Sequence, residues 1–133
     1  MDQITVRNST KANLIGARID LANTFASRLF GLLGKRLLEC GRGVLIQPSC
    51  GIHTFGMWFA IDVVALDKDC RVLRTWSNLA PFRISGLSMR THSCLELAAG
   101  QVKACNIETG DRLDIVRNGV CNVVCNDPAS DQG

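Results

Sequence analysis

No apolar run in the 133-residue sequence approaches the roughly 18 residues of a membrane-spanning helix, which excludes a helical transmembrane segment. Residues 1–8 are polar and alternating and lack the basic start and continuous apolar stretch of a signal peptide, so the expected location is the cytoplasm. Basic residues never gather into a run. Fifteen are scattered against 12 acidic ones, and the formal net charge of +3 is too small to name a nucleic acid or a membrane surface as partner. Eleven of the 15 cations are arginines, whose planar fork of donors suits an anion site, although genomic composition gives the same bias. Close cysteine pairs are scarce as well. Of seven cysteines, at 40, 50, 70, 94, 105, 121 and 125, only Cys121 and Cys125 are near neighbours in sequence. A disulfide framework needs pairs, and a structural zinc site needs two close pairs or their equivalent. The cysteines are therefore expected to be free thiols serving as small hydrophobes. Repeats and interdomain linkers are also missing, which leaves a single domain over residues 1–125 and a flexible tail over 126–133.

What is present is an ordinary globular composition, 47% hydrophobic and 20% charged. Ile4-Thr5-Val6 and Leu14–Ile19 read as strands of an opening hairpin around the turn-rich Asn8–Lys11. Asn23 or Thr24 can cap a helix carrying Phe25, Leu29, Leu32 and Leu33 at helical spacing, with Gly34 and Lys35 at its end. Val44-Leu45-Ile46 is a buried strand ended by Pro48. Ile61–Leu66 and Arg71–Trp76 flank the polar turn Asp67–Cys70 as a second hairpin. Its first arm is apolar on both faces and belongs in the middle of a sheet; its second arm alternates and belongs nearer an edge. Residues 77–92 read as a long loop, Cys94–Leu97 as a strand, Gly100–Cys105 as a helical turn and Arg112–Val116 as a last strand. About seven short strands and one helix near the N-terminus make a mainly β sandwich or barrel.

Several segments taken in order resemble the domain of unknown function 192 family. They are Arg28-x-x-Gly31-Leu32-Leu33-Gly34, Gly43–Ile46, Ile52–Met57 followed by Ile61-Asp62-Val63, Leu66-Asp67, Leu95-Glu96-Leu97-x-Ala99-Gly100 and Gly110-Asp111. The likeness spans about residues 3–117. It implies a compact, jelly-roll-like, mainly β fold with a helix near its start. Family members occur both as stand-alone cytoplasmic proteins and as exported ones, and no activity is assigned to them. The tail Val120–Cys125 departs from many relatives and borrows no role from them.

Chemistry-bearing residues concentrate between Cys50 and Asp62. Cys50-x-x-His53 has the reach of two metal ligands, with Asp62 or Glu96 to complete the set, but the spacing is common and no metal or cofactor is expected. The same residues permit a nucleophilic reading in which Cys50 is the thiolate, His53 its base and Asp62 the orienting group. Asp62 and Glu96 are single carboxylates among apolar strand neighbours. By alternation Asp62 shares a face with Val64 and Leu66, and Glu96 shares one with Cys94 and Ala98. A carboxylate on a buried face must be paired or hydrogen-bonded, and Arg28 or the amides of Thr54–Gly56 are candidate partners for Asp62. Asp62 can equally be a pin between loop and strand, and Glu96 a solvent-facing strand position. Met57, Trp58 and Phe59 serve as packing or as an apolar wall beside a polar corner of His53, Asp62 and Glu96. The expected function is a binding module for a small polar ligand or a peptide end. Its cleft is expected around Arg28, Cys50, His53, Met57, Asp62 and Glu96. The alternatives are a Cys/His-dependent hydrolase and an assembly factor working through residues 77–92.

Overall fold

Alternation of apolar residues with a period of two sets most of the structure, because it gives each strand one side chain in two for the core. The computed structural model describes residues 2–22, 40–49, 59–80 and 88–117. They form strands β1 (Asp2–Asn8), β2 (Asn13–Ala22), β3 (Arg42–Ile46), β4 (Ile61–Leu66), β5 (Val72–Leu79), β6 (Ser93–Ala98) and β7 (Leu113–Arg117), with a one-turn helix α1 (Gln101–Ala104) between β6 and β7. Both expected hairpins are present: β1 pairs antiparallel with β2, and β4 with β5. The helix expected from Asn23 to Gly34 and the tail over 126–133 lie outside the described residues.

All seven strands belong to one sheet in the order β5-β4-β6-β3-β2-β1-β7, so the described residues form one sheet rather than two packed sheets. The apolar β4 is buried along its whole length beside β6, while the alternating β5 is at one end of the order, as the two arms' patterns require. Only β2 and β3 run parallel; the other five neighbouring pairs are antiparallel. The two ends of the sheet approach each other at one corner. Arg71 and Arg112 form an isolated bridge, Val72 N–H donates to the Asp111 carbonyl at 2.8 Å, and Leu113 N–H donates to the Cys70 carbonyl at 2.9 Å. The sheet is thus a barrel partly closed where β5 begins and β7 is approached.

Curling separates two apolar layers. The inner one contains Ile4, Ile19, Leu45, Val64, Leu66, Leu95, Leu97, Val102 and Ile115; the other face carries Ala22, Val44, Ile46, Ile61, Val63, Cys94 and Ala98, with Phe59, Trp76 and Leu79 packed against it. Two bulges bend β5: one extra residue falls between its pairings with Ala65 and Leu66, another between those with Ile61 and Val63. Residues 77–79, expected in a loop, are strand for that reason: the bulge absorbs the polar Ser77-Asn78 pair, with Asn78 at φ 57°, and pairing resumes at Leu79.

Among the described residues, cysteine usage differs from expectation at Cys70. Cys40, Cys94 and Cys105 are in no disulfide, but Cys70 is disulfide-bonded. The half-cystine occupies the β4–β5 turn, a state that residue spacing alone does not reveal.

At Gly43 the backbone of β3 lies tight against β6. A methyl group there would collide with the Glu96 carbonyl oxygen and press on side chains of Ile19 and Leu97. Gly43→Ala is expected to lower stability by about 1–3 kcal/mol, the usual cost of overpacking. Chemical denaturation checks this, and an unchanged midpoint would mean that the two strands separate freely.

Candidate functional site

Asp62 faces the inner layer from the second position of β4 and is fully buried. Its Oδ1 accepts the Asn78 N–H at 2.8 Å; its Oδ2 accepts those of Gly100 at 3.0 Å and Val102 at 2.8 Å. The first of these holds the β5 bulge. The other two hold the start of α1, where Gly100 turns the chain at φ 93° and no side chain of the helix's own caps it. Among the described residues the partners are therefore the amides of Asn78, Gly100 and Val102, the geometry of a structural pin, while the expected partners Arg28 and Thr54–Gly56 lie outside the described residues.

Glu96 does not join it. Val63 on β4 pairs with Glu96, whereas Asp62 pairs with Leu97, and paired residues share a face. Glu96 therefore projects from the face of Val44, Val63, Cys94 and Ala98, opposite to Asp62. It is 3% exposed, not a solvent-facing position. The polar corner combining Asp62 with Glu96 does not form, because the alternation of each strand fixes its own faces but not its register against a neighbour. Arg28, Cys50, His53 and Met57 lie outside the described residues.

The face that carries Glu96 also carries a cleft. Ala65, Leu73, Arg74, Trp76, Ser88, Arg90 and Thr91 line a concavity of about 280 Å³. On its floor Ala65 pairs with Arg74, and Val63 pairs with both Trp76 and Glu96, which places the carboxylate residue one strand beyond the floor. The Arg74 guanidinium lies 4.8 Å from the Trp76 ring centroid, a cation–π contact that leaves its edge free to meet an anion. A second concavity, of about 360 Å³ and lined by Asp67, Lys68, Met89, Arg90, Thr91 and His92, shares Arg90 and Thr91 with the first. His92 is anchored there. Its N–H donates to the Leu66 carbonyl at 2.8 Å, its carbonyl accepts the Ser49 N–H at 2.8 Å, and its ring Nε2 is 3.0 Å from Gln47 Nε2. With the amide nitrogen as donor, the ring Nε2 accepts. Asp67 is occupied locally, Oδ1 accepting the N–H groups of Asp69 at 2.8 Å and Arg71 at 3.0 Å. Sequence reasoning passed over this cleft. The available signal was Arg74-x-Trp76 on the exposed alternation of an edge strand.

A third polar cluster joins the first turn to the last strand. Asp111, 5% exposed, receives Asn8 Nδ2 at 2.8 Å, Lys11 Nζ at 2.8 Å and Glu108 N–H at 3.0 Å, and Lys11 Nζ also meets Glu108 Oε1 at 2.6 Å. Burial works to raise the Asp111 pKa, but hydrogen bonds from Lys11, Asn8 and the Glu108 amide, together with the Lys11 charge, hold it below the usual carboxylate value. Among the described residues no three of His, Cys, Asp and Glu come together in a way that could hold a metal ion, and no helix is long and apolar enough to cross a membrane.

Comparison with known sequences matches residues 5–115 to the family described as "DUF192: Uncharacterized ACR". The chain belongs to this domain-of-unknown-function family. Two crystal structures share the family member's fold. A protein of unknown function from Novosphingobium aromaticivorans DSM 12444 is 21% identical, with a TM-score of 0.72 over 84% of this chain and 83% of its own. A proposed transcription regulator from Sinorhizobium meliloti 1021 is 20% identical, with a TM-score of 0.71 over 90% of this chain and 95% of its own. Likeness at this identity carries the fold alone. No curated protein matches.

Two predictions follow from the carboxylates. An amide at position 62 would point an NH2 group at backbone donors, so Asp62→Asn and Asp62→Ala should both lose on the order of 2–4 kcal/mol in chemical denaturation. An Asn variant as stable as the wild type would remove the pin. For Asp111 the folded pKa is depressed, so its contribution is complete above the unfolded value near ~3.9 and disappears as pH falls through the folded value. The melting-temperature gap between wild type and Asp111→Asn should therefore be widest near neutrality and shrink below about pH 4. A gap independent of pH would contradict the assignment.

Proposed function

We propose that this family member is a binding module whose ligand is a small anion-bearing molecule or the carboxylate end of a peptide, received in the cleft between Arg74 and Arg90. The observation that carries the reading is the convergence, in one concavity, of two guanidinium-bearing residues from separate segments with the hydroxyl residues Ser88 and Thr91 and the indole of Trp76. Guanidinium groups match carboxylates and phosphates with two parallel donors, and an apolar wall with a few polar groups is the common build of a small-ligand site. Neither Arg74 nor Arg90 forms an ion pair among the described residues, so no described carboxylate competes for them. The second concavity extends the same surface past Arg90 to Lys68 and His92, which gives length enough for a short peptide end. Glu96 remains a candidate on this face, and His53, Met57, Arg28 and Cys50 remain candidates from the sequence.

The reading needs neither nucleic acid nor membrane as partner. For location, the disulfide at Cys70 supports an oxidising compartment over the cytoplasm expected from the polar N-terminus, since cytosolic thiols are kept reduced.

Titration with citrate, inorganic phosphate and an acetylated dipeptide, followed by calorimetry, tests the proposal. Charge-assisted hydrogen bonds contribute about 1.5–3 kcal/mol, so Arg74→Ala and Arg90→Ala should each weaken binding by roughly tenfold or more. Amidating the dipeptide's C-terminus should abolish its binding. No saturable heat with any of the three probes, or an affinity in both variants unchanged from wild type, would overturn it.

A further inference from the structure

Away from the residues that line the proposed cleft, two free thiols share one amide. Gln101 Nε2 donates to Cys40 Sγ at 3.2 Å, and the same side chain's Oε1 accepts from Cys105 Sγ at 3.9 Å. Cys40 is exposed and Cys105 half-buried, and both are at the ends of elements, Cys40 in the turn before β3 and Cys105 at the C-cap of α1. The Cys105 thiol also contacts the Leu14 carbonyl at 4.0 Å. Leu14, 47% exposed, and Cys40 line one concavity of about 300 Å³ along the start of β2. Two cysteines 65 positions apart have thus been brought to a single polar side chain. Cys105 also packs against the inner apolar layer, whereas Cys40 is exposed.

We propose that Cys40 and Cys105 form a reversible dithiol–disulfide pair, a modification site that fastens the β3 turn to α1. The oxidant is a small-molecule disulfide of the glutathione type. The exposed Cys40 gives up its proton and its thiolate attacks one sulfur of that disulfide. The old sulfur–sulfur bond breaks, a mixed disulfide forms on Cys40, and one small thiolate leaves and takes up a proton. Cys105 then loses its proton and attacks the Cys40 sulfur, releasing the second small thiol. Two protein thiols are oxidised, one small disulfide is reduced to two thiols, and the protons balance. The order follows exposure, and it agrees with burial, aided by the neighbouring Cys40, raising the Cys105 pKa, which suits Cys105 to the second, intramolecular step. Closing the bond displaces the Gln101 amide and brings the sulfurs to about 2.05 Å. Gly41, beside Cys40 at φ 80° with open space around its α-carbon, is where the turn can give.

Incubating the full chain with oxidised glutathione, alkylating remaining thiols with iodoacetamide after denaturation, and mapping the unreduced digest by mass spectrometry tests the pair. The expected wild-type product is a peptide joining Cys40 to Cys105, with loss of both alkylation sites and no retained glutathione, all reversed by dithiothreitol. Cys105→Ser should instead keep glutathione on Cys40, and Cys40→Ser should leave Cys105 alkylatable. A stable glutathione adduct on wild-type Cys40, or a bond from Cys40 to any other cysteine, would overturn the proposal. The wild-type crosslink is read directly and does not depend on either variant folding.

Discussion

The buried carboxylate of Asp62 couples three parts of the molecule that the chain reaches at different times. An ionised group with no exposed surface costs several kcal/mol unless donors replace its water, and here the donors are backbone amides of the β5 bulge and of α1. The bulge cannot straighten without stranding Oδ1, and α1 cannot shift without stranding Oδ2. Because Val102 on that helix turn belongs to the inner layer, the polar contact also fixes how one end of the barrel's core is filled. A four-residue helix is far too short to be stable alone, so this anchorage, not helix propensity, explains its presence.

Curvature then decides which surfaces can do anything. The corner at Arg71 and Arg112 draws the ends of the sheet together, so one face closes on a core of aliphatic side chains. The concavities described above lie on the other face and at the rim. Both clefts near Arg90 open there, as does the pair of thiols beside β2. The cluster of Asn8, Lys11, Glu108 and Asp111 serves the same closure from the far end, tying the β1–β2 turn to the approach of β7.

Much of this fold could be read from local pattern. Ile61–Leu66, apolar on both faces, is a central strand, and the alternating Val72–Leu79 is next to the corner where the sheet ends, as period-two reasoning requires. Pairing partners were not legible. Nothing within Ile61–Leu66 or Ser93–Ala98 says that Val63 rather than Asp62 aligns with Glu96, yet that one-residue choice sends the two carboxylates to opposite faces. The donors to Asp62 come from 16, 38 and 40 residues away, beyond any motif window. The meeting of Cys40 with Cys105 at Gln101 is of the same kind, a long-range consequence of topology that residue spacing does not encode.

The bulges in β5 connect stability to the proposed function. An edge strand offers unpaired backbone groups to any passing strand, and a bulge defends against that by twisting the edge away. β5 carries two such bulges, one at each side of the segment Arg74–Trp76. The regular stretch between them holds alternate side chains on the outer face, which is how Arg74 and Trp76 come to lie side by side with the guanidinium over the indole. A flat edge strand would present the same two residues in a register open to slippage. With both ends fixed, one of them by Asp62 through Asn78, the pair is held where Arg90 and Thr91 can face it across the cleft. The inward carboxylate on β4 and the outward guanidinium on β5 are therefore one device: the first sets the bend that positions the second.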